Sequence, residues 1–174
     1  MSTSRGRSRV DDQPVAGARR RGRERALGLL YEAETKGQSP REILGQLPAP
    51  PEYYAVALFE GVVEHGAEID RLIGDQAHSW SVDRMPVVDR QLLRLATFEM
   101  IYRPDVPCAV IIDEAIELAK NYSTDESGKF VNGVLAGLAR QLRPDDISPA
   151  PDVAEPDVVD PELGWEPDGT LNEQ

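Results

Sequence analysis

Five arginines within seven residues, Arg19, Arg20, Arg21, Arg23 and Arg25, stand where a helical pattern begins. A helix N-terminus is the positive end of the macrodipole, so each cation there costs a few tenths of a kcal/mol to about 1 kcal/mol unless an anion answers it. Guanidinium groups fork onto phosphate oxygens and stack on bases, so the chemistry on offer is phosphate recognition. At about 100° per residue, Arg19, Arg20 and Arg23 share an arc that continues into Ala26, Leu27 and Leu30. The basic stripe extends the core stripe, and these arginines are therefore expected to overhang the edge of a bundle. Tyr31 lies near the same arc and offers a stacking surface further along. RNA fits better than DNA, because no two-helix major-groove reader is legible and arginine-rich segments commonly bind RNA. Read alone, an arginine run is also an ordinary soluble lead-in.

Other chemistry is hard to assemble. His65 and His78 are isolated, no His or Cys pair has metal-ligand spacing, and no glycine-rich loop follows a strand. Asp113, Glu114 and Glu117 share a helix but read as a solvated face. No nucleophile, base, metal or cofactor constellation emerges, so a non-enzymatic protein is expected. Cys108 is the only cysteine, which excludes an internal disulfide and fits a reducing cytoplasm. No apolar run reaches the length of a membrane span.

The net charge of −12 conceals a split. Residues 1–25 carry eight arginines against three carboxylates, while residues 144–174 carry ten carboxylates and no Lys or Arg. The low overall pI therefore says little about partners.

The elements that must position the arginines are all helical. Ala18–Lys36 has Ala26, Leu27, Leu30 and Ala33 at three- and four-residue spacing, with Gly37 as a C-terminal stop. A short helix at Pro40–Leu47 precedes Glu52–His65, with Val56, Leu58, Phe59 and Val62 inward. Glu68–Trp80 places Ile69, Leu72, Ile73 and Trp80 inward. Residues 81–103 are apolar over a wide arc and read as the central helix. Cys108–Tyr122 follows, with Val110, Ile111, Ala115, Ile116 and Leu118 inward, and then Gly128–Leu142 behind a capping segment at Ser123–Ser127. The fold class is all-α, a compact antiparallel bundle. Residues 1–17 read as a disordered lead-in, 18–143 as the helical domain, and 144–174, with six prolines and ten acids, as a disordered acidic tail.

Four segments, ARRRGRERALGLLYEAE at Ala18–Glu34, WSVDRMPVVDRQLLRLATFEM at Trp80–Met100, DEAIELAK at Asp113–Lys120 and GKFVNGVL at Gly128–Leu135, together resemble the NusB family of bacterial transcription antitermination factors. The resemblance implies seven helices in two subdomains, and binding to the boxA element of nascent ribosomal RNA transcripts together with the ribosomal protein NusE, within the RNA polymerase antitermination complex. It implies RNA-binding roles for Arg19, Arg20, Arg21, Arg23, Tyr31, Lys129 and Phe130. Glu126 matches an acidic position near the RNA and NusE contact, and Asp89 one that faces NusE. Read from the residues alone, Phe130 also fits a first-turn core position, and Asp89 fits a local pair with Arg90 or Arg94.

Two classes compete with this reading: a helical adaptor or homodimeric scaffold in which the arginines are incidental, and the RNA-binding module of an rRNA methyltransferase. The second would need a nucleotide-cofactor domain where the acidic tail stands. The sequence leaves monomer and homodimer both open. Gly22 and Gly28 depart from the family, which more usually has Ala and Gln there. Each costs about 1 kcal/mol relative to Ala in a helix interior. The turns before about residue 23 are therefore expected to be loose without RNA. The acidic tail is expected to compete with RNA for the arginines, so truncation after Arg143 should raise RNA affinity at low salt. Binding isotherms on full-length and truncated chains test this, and unchanged affinity refutes it.

Overall fold

The computed structural model describes residues 16–78 and 80–147, and among these every regular element is helical. The order is α1 (Ala16–Lys36), α2 (Pro40–Gly45), α3 (Tyr53–Glu64), α4 (Gly66–Ala77), α5 (Val87–Tyr102), α6 (Cys108–Tyr122) and α7 (Asp125–Leu142). Short 3₁₀ turns precede α5 at Val82–Arg84 and follow α7 at Pro144–Asp146. The predicted helices are present within three residues of their expected ends, except that α5 begins at Val87, with Pro86 as its N-cap, rather than at residue 81. Gly37 closes α1 with a φ of 62°, the left-handed cap that its position after the periodic run requires. Ser39 and Glu42 form a reciprocal capping box on α2, and Thr124 and Ser127 form one on α7.

The central helix is α5. It packs against α1, α3, α4, α6 and α7, with α1–α3 gathered on one side and α4, α6 and α7 on the other, which is the two-subdomain arrangement. Between Asp89 and Met100 only Arg94 is not buried. Because this stretch includes Asp89, Arg90, Gln91, Thr97 and Glu99, its polar groups need partners, and those partners tie the bundle together. Arg90 pairs with Glu34 of α1 and donates to the Met85 carbonyl at 2.8 Å. Arg94 holds Asp70 of α4 through two contacts of 2.7 Å. The apolar faces of the other helices close around this axis, with Leu29, Phe59, Leu58, Ile69, Ile111 and Leu135 among the fully buried side chains. Val110 departs from expectation. It lies about 100° around α6 from the Ile111–Ala115–Leu118 arc, on the flank of the helix, and is 44% exposed.

Two expectations about the ends require revision. The lead-in boundary moves, since α1 is already helical at Ala16; residues 1–15 lie outside the described region. At the other end, residues 144–147 belong to the packed domain. Asp146 accepts the Cys108 backbone N–H at 2.7 Å and pairs with Arg143 at 2.9 Å, and Ile147 packs on the core. The acidic tail proper, residues 148–174, lies outside the described region, and a clean truncation belongs after Ile147.

Gly22 does not loosen α1. It is buried under Tyr54 of α3, and a Cβ at this position would stand 2.8 Å from the ring Cδ1. The glycine is what lets the two helices approach. Tyr54 cannot easily yield, because its hydroxyl donates to the buried Glu99 carboxylate. Although Gly→Ala in a helix interior ordinarily gains about 1 kcal/mol, Gly22→Ala should instead destabilise by about 1–3 kcal/mol. Urea unfolding measures it, and a gain in stability would contradict the packing argument.

Candidate nucleic-acid interface

The arginine stripe divides when the helix docks. Arg23 is 3% exposed and clamps Glu99, itself 1% exposed, with Nε 2.9 Å from Oε2 and Nη2 2.9 Å from Oε1. Glu114 of α6 approaches the same guanidinium at 3.8 Å. Burial alone would lower the Arg23 pKa, but the hydrogen bond and charge of Glu99 outweigh it and hold the cation. Burial and the same carboxylate push the Tyr54 phenol well above its ordinary range, so it remains a donor. The expectation that Arg23 overhangs the bundle as an RNA contact is therefore corrected. The core stripe extends further up α1 than periodicity revealed, because α3, α5 and α6 wall in the Arg23 turn and Glu99 neutralises it.

The remaining cations follow from this rotation. With Arg23 pointing inward, helical geometry sets Arg20 about 60°, Tyr31 about 80°, Gly28 about 140° and Arg21 about 160° around the axis. Arg20, Arg21 and Arg25 are exposed, and none lies within 4.0 Å of a carboxylate oxygen among the described residues. Arg19 is intermediate. Its side chain is 26% exposed and bonds Asp105 at 2.8 Å, while its guanidinium lies 5.8 Å from the Tyr54 ring centroid. Arg103, at the end of α5, lies 5.4 Å from the same centroid and adds a cation that the sequence pattern did not single out.

Further along α1, Tyr31 is 45% exposed and lines a groove of about 410 Å³ with Leu27, Gly28, Val88 and Tyr122. A second groove, of about 480 Å³, lies around the N-terminal turn of α7. It brings together four of the predicted residues: Asp89, Glu126, Lys129 and Phe130. Val88 lines the first groove and the adjacent Asp89 the second, so the first turn of α5 is the ridge between them. Lys129 and Glu126 are strongly exposed and 3.6 Å apart. An exposed pair of this kind contributes little and exchanges readily. Phe130 is half-buried, its ring centroid 5.8 Å from that of Trp80.

Asp89 is corrected on two counts. It is 3% exposed, and it pairs with neither Arg90 nor Arg94. Its oxygens accept from the Ser123 hydroxyl at 2.6 Å and the Ser127 hydroxyl at 2.8 Å. The carboxylate is consumed in fixing the α6–α7 junction, and so it sets the wall of the groove without presenting a charge to a partner. Trp80 also departs from expectation. Since α4 stops at Ala77, the helical period no longer applies three residues on, and the indole is 55% exposed on the groove rim. An aromatic beyond the end of a helix and before the Ser81–Val82 turn was the available signal. Tyr122 was missed for a similar reason: it sits at the last residue of α6, and its hydroxyl donates to Glu24.

Both grooves and the exposed arginines lie within residues 20–140 or immediately beside them, and those residues match the NusB family model. The chain belongs to the NusB family. It is 50% identical to the transcription antitermination protein NusB of Kineococcus radiotolerans over 126 residues, covering 70% of this chain and 93% of that protein. The Acidothermus cellulolyticus NusB is 46% identical over 138 residues, covering 77% and 95%. Among solved structures, NusB of T. maritima superposes with a TM-score of 0.67 at 37% identity, covering 74% of this chain and 95% of that one. A chain in the crystal structure of the antitermination factors NusB and NusE in complex with dsRNA gives 0.64 at 28% identity, covering 73% and 99%. This NusB-family protein is a transcription antitermination factor, and no helix among its described residues is long and apolar enough to cross a membrane.

The division of the arginines makes a measurable distinction. Arg23→Gln should destabilise the fold by about 3–5 kcal/mol, because it leaves Glu99 buried without its counter-charge. Arg20→Gln, at an exposed position, should stay within about 0.5 kcal/mol. Denaturant midpoints for the two variants check this, and equal effects would refute the assignment.

Proposed function

We propose that the protein acts in the cytoplasm by binding the boxA element of nascent ribosomal RNA transcripts together with NusE, as part of the RNA polymerase antitermination complex. The observation that carries this reading is the alignment of exposed guanidiniums at the start of α1 with two aromatic-lined grooves around one helix junction. In a chain of net charge −12, a cluster of exposed arginines at a helix N-terminus calls for an anion, and a polyanion with flat bases suits both the edge and the grooves. That a neighbour of 28% identity was solved with NusE and dsRNA supports the choice.

In this reading Arg20 and Arg21 meet phosphates directly. Arg19 joins them by exchanging Asp105, whose side chain is 56% exposed, for a phosphate oxygen. Lys129 meets a further phosphate by leaving Glu126, and Tyr31 and Phe130 stack on bases, with Trp80 supporting Phe130. Glu126 faces NusE or the RNA at the α7 turn. Asp89 acts on that surface by holding Ser123 and Ser127, and Arg23 acts on it by holding α1.

Four phosphate contacts, from Arg19, Arg20, Arg21 and Lys129, to single-stranded RNA predict that log K falls against log salt with a slope of about −3. Arg20→Gln and Lys129→Gln should each reduce the slope by about 0.7 and weaken all sequences alike, whereas Phe130→Ala should weaken binding without changing the slope. The measurement is binding of boxA and scrambled RNA, with NusE, at several salt concentrations. Equal affinity for both RNAs would refute boxA recognition, and no salt-dependent binding would return the protein to the class of helical adaptors.

A further inference from the structure

We propose that Arg19 and Arg103, held together on the ring of Tyr54, are the landing site for the acidic segment 148–174 of the same chain, which there competes with RNA for Arg19. The contact itself does not depend on the RNA-binding reading above, but its effect on RNA rests on it. Tyr54 is fixed by the bond from its hydroxyl to Glu99, and the Arg19 and Arg103 guanidiniums lie 5.8 Å and 5.4 Å from its ring centroid. Both distances are within cation–π range, so one fixed ring holds two partly exposed cations on one surface. A single exposed carboxylate answers them. Asp105 bonds Nη2 of Arg19, and Arg103 has no carboxylate oxygen within 4.0 Å among the described residues.

The path of the chain decides which further anion fits. Arg103 and Asp105 stand on the loop between α5 and α6, residues 103–107. The end of the domain is anchored on that same loop. Arg143 donates to the Pro104 carbonyl at 3.2 Å and to the Val106 carbonyl at 2.8 Å, the two residues that flank Asp105. Asp146 holds the Cys108 N–H just after the loop, and Ile147 packs on the core, so residue 148 leaves the domain beside the site. Of the ten carboxylates in 144–174, Asp145 and Asp146 belong to this packed end, which leaves eight in 148–174 with no Lys or Arg among them. A tethered segment meets the site at an effective concentration on the order of millimolar, so exposed ion pairs that are weak one by one suffice. RNA fits this flank less well. With Arg23 inward, Arg19 falls about 40° to the side of Tyr54, whereas Arg20 and Tyr31 fall about 60° and 80° to the other side, where Tyr31 and Tyr122 border their groove. An RNA along that groove leaves Arg103 uncovered, and Arg19 is the cation that RNA and the acidic segment share.

The test uses the full chain with a nitroxide label on Thr170→Cys, since the buried Cys108 stays unlabelled. At low salt, paramagnetic broadening should centre on Tyr54, Arg103 and Asp105. It should fall in Arg103→Gln, in a chain whose eight carboxylates in 148–174 are changed to their amides, and at about 1 M salt, where the Debye length is about 3 Å. Broadening that is absent, that is unchanged by all three, or that centres on Tyr31 and Lys129 would overturn the site. The second arm is binding of boxA RNA with NusE at low salt. Arg103→Gln removes a cation, yet it should raise affinity for this polyanion about three- to fivefold, the scale of one exposed ion pair. The amide-bearing segment should raise it at least as far, and adding Arg103→Gln to that chain should change it by less than about twofold, because both changes remove the same contact. No gain from Arg103→Gln in the parent would overturn the proposal, and a loss in the amide-bearing chain would assign the site to RNA instead. A parent that binds no RNA but keeps the Arg103-dependent broadening refutes the RNA-binding reading and leaves the landing site standing.

Discussion

The clamp of Arg23 on Glu99 fixes the surface of this protein as much as its interior. Glu99 is on the central helix and 1% exposed, so its charge is tolerable only with a cation and further donors on it. Arg23 supplies two nitrogens and Tyr54 its hydroxyl. Replacing such a pair with apolar residues is often neutral for stability, and its value lies in geometry. Only one rotation and one depth of α1 bring Arg23 onto Glu99. Once that rotation is set, Arg20 and Arg21 must face out, and Tyr31 must border the groove beside α5 and α6.

A second set of buried polar contacts fixes the other half of the interface. Arg90, Gln91 and Arg94 of α5 converge on Glu34 near the C-terminus of α1. Burial would raise the Glu34 pKa, but the hydrogen bond and charge of Arg90, with help from Arg94, hold it below the usual carboxylate range. The two ends of α1 are thereby pinned to the two ends of α5. Asp89, one residue before Arg90, turns the opposite way and grips Ser123 and Ser127. The first turn of α5 therefore positions α1 on one side and α7 on the other, and the two grooves inherit their spacing from it.

The two interior glycines of α1 show why a residue type does not carry its own explanation. Read as letters, Gly22 and Gly28 are equal losses of helix propensity. In the fold, Gly22 is a contact surface for Tyr54 and firms the arginine-bearing turn, while Gly28 has open space and borders a groove. The difference is where each points once Arg23 is docked.

Much of the fold was legible in the sequence, because helical periodicity, capping residues and proline breaks are local signals that act within a turn or two. The all-α class, the helix order, the central place of the segment after Ser81, and the gathering of Lys129, Phe130 and Glu126 at one helix start all follow from such signals. The fate of individual polar side chains was not legible. Arg23 and Arg20 are alike by type and lie on the same arc, and only the position of Glu99, 76 residues away, separates a buried structural cation from an exposed one. Asp89 likewise reads as an exposed acid until α6 and α7 bring two serines to it. Local pattern decides which face of a helix is apolar, whereas the partner of a buried charge is set by contacts between distant segments, which only tertiary structure brings together.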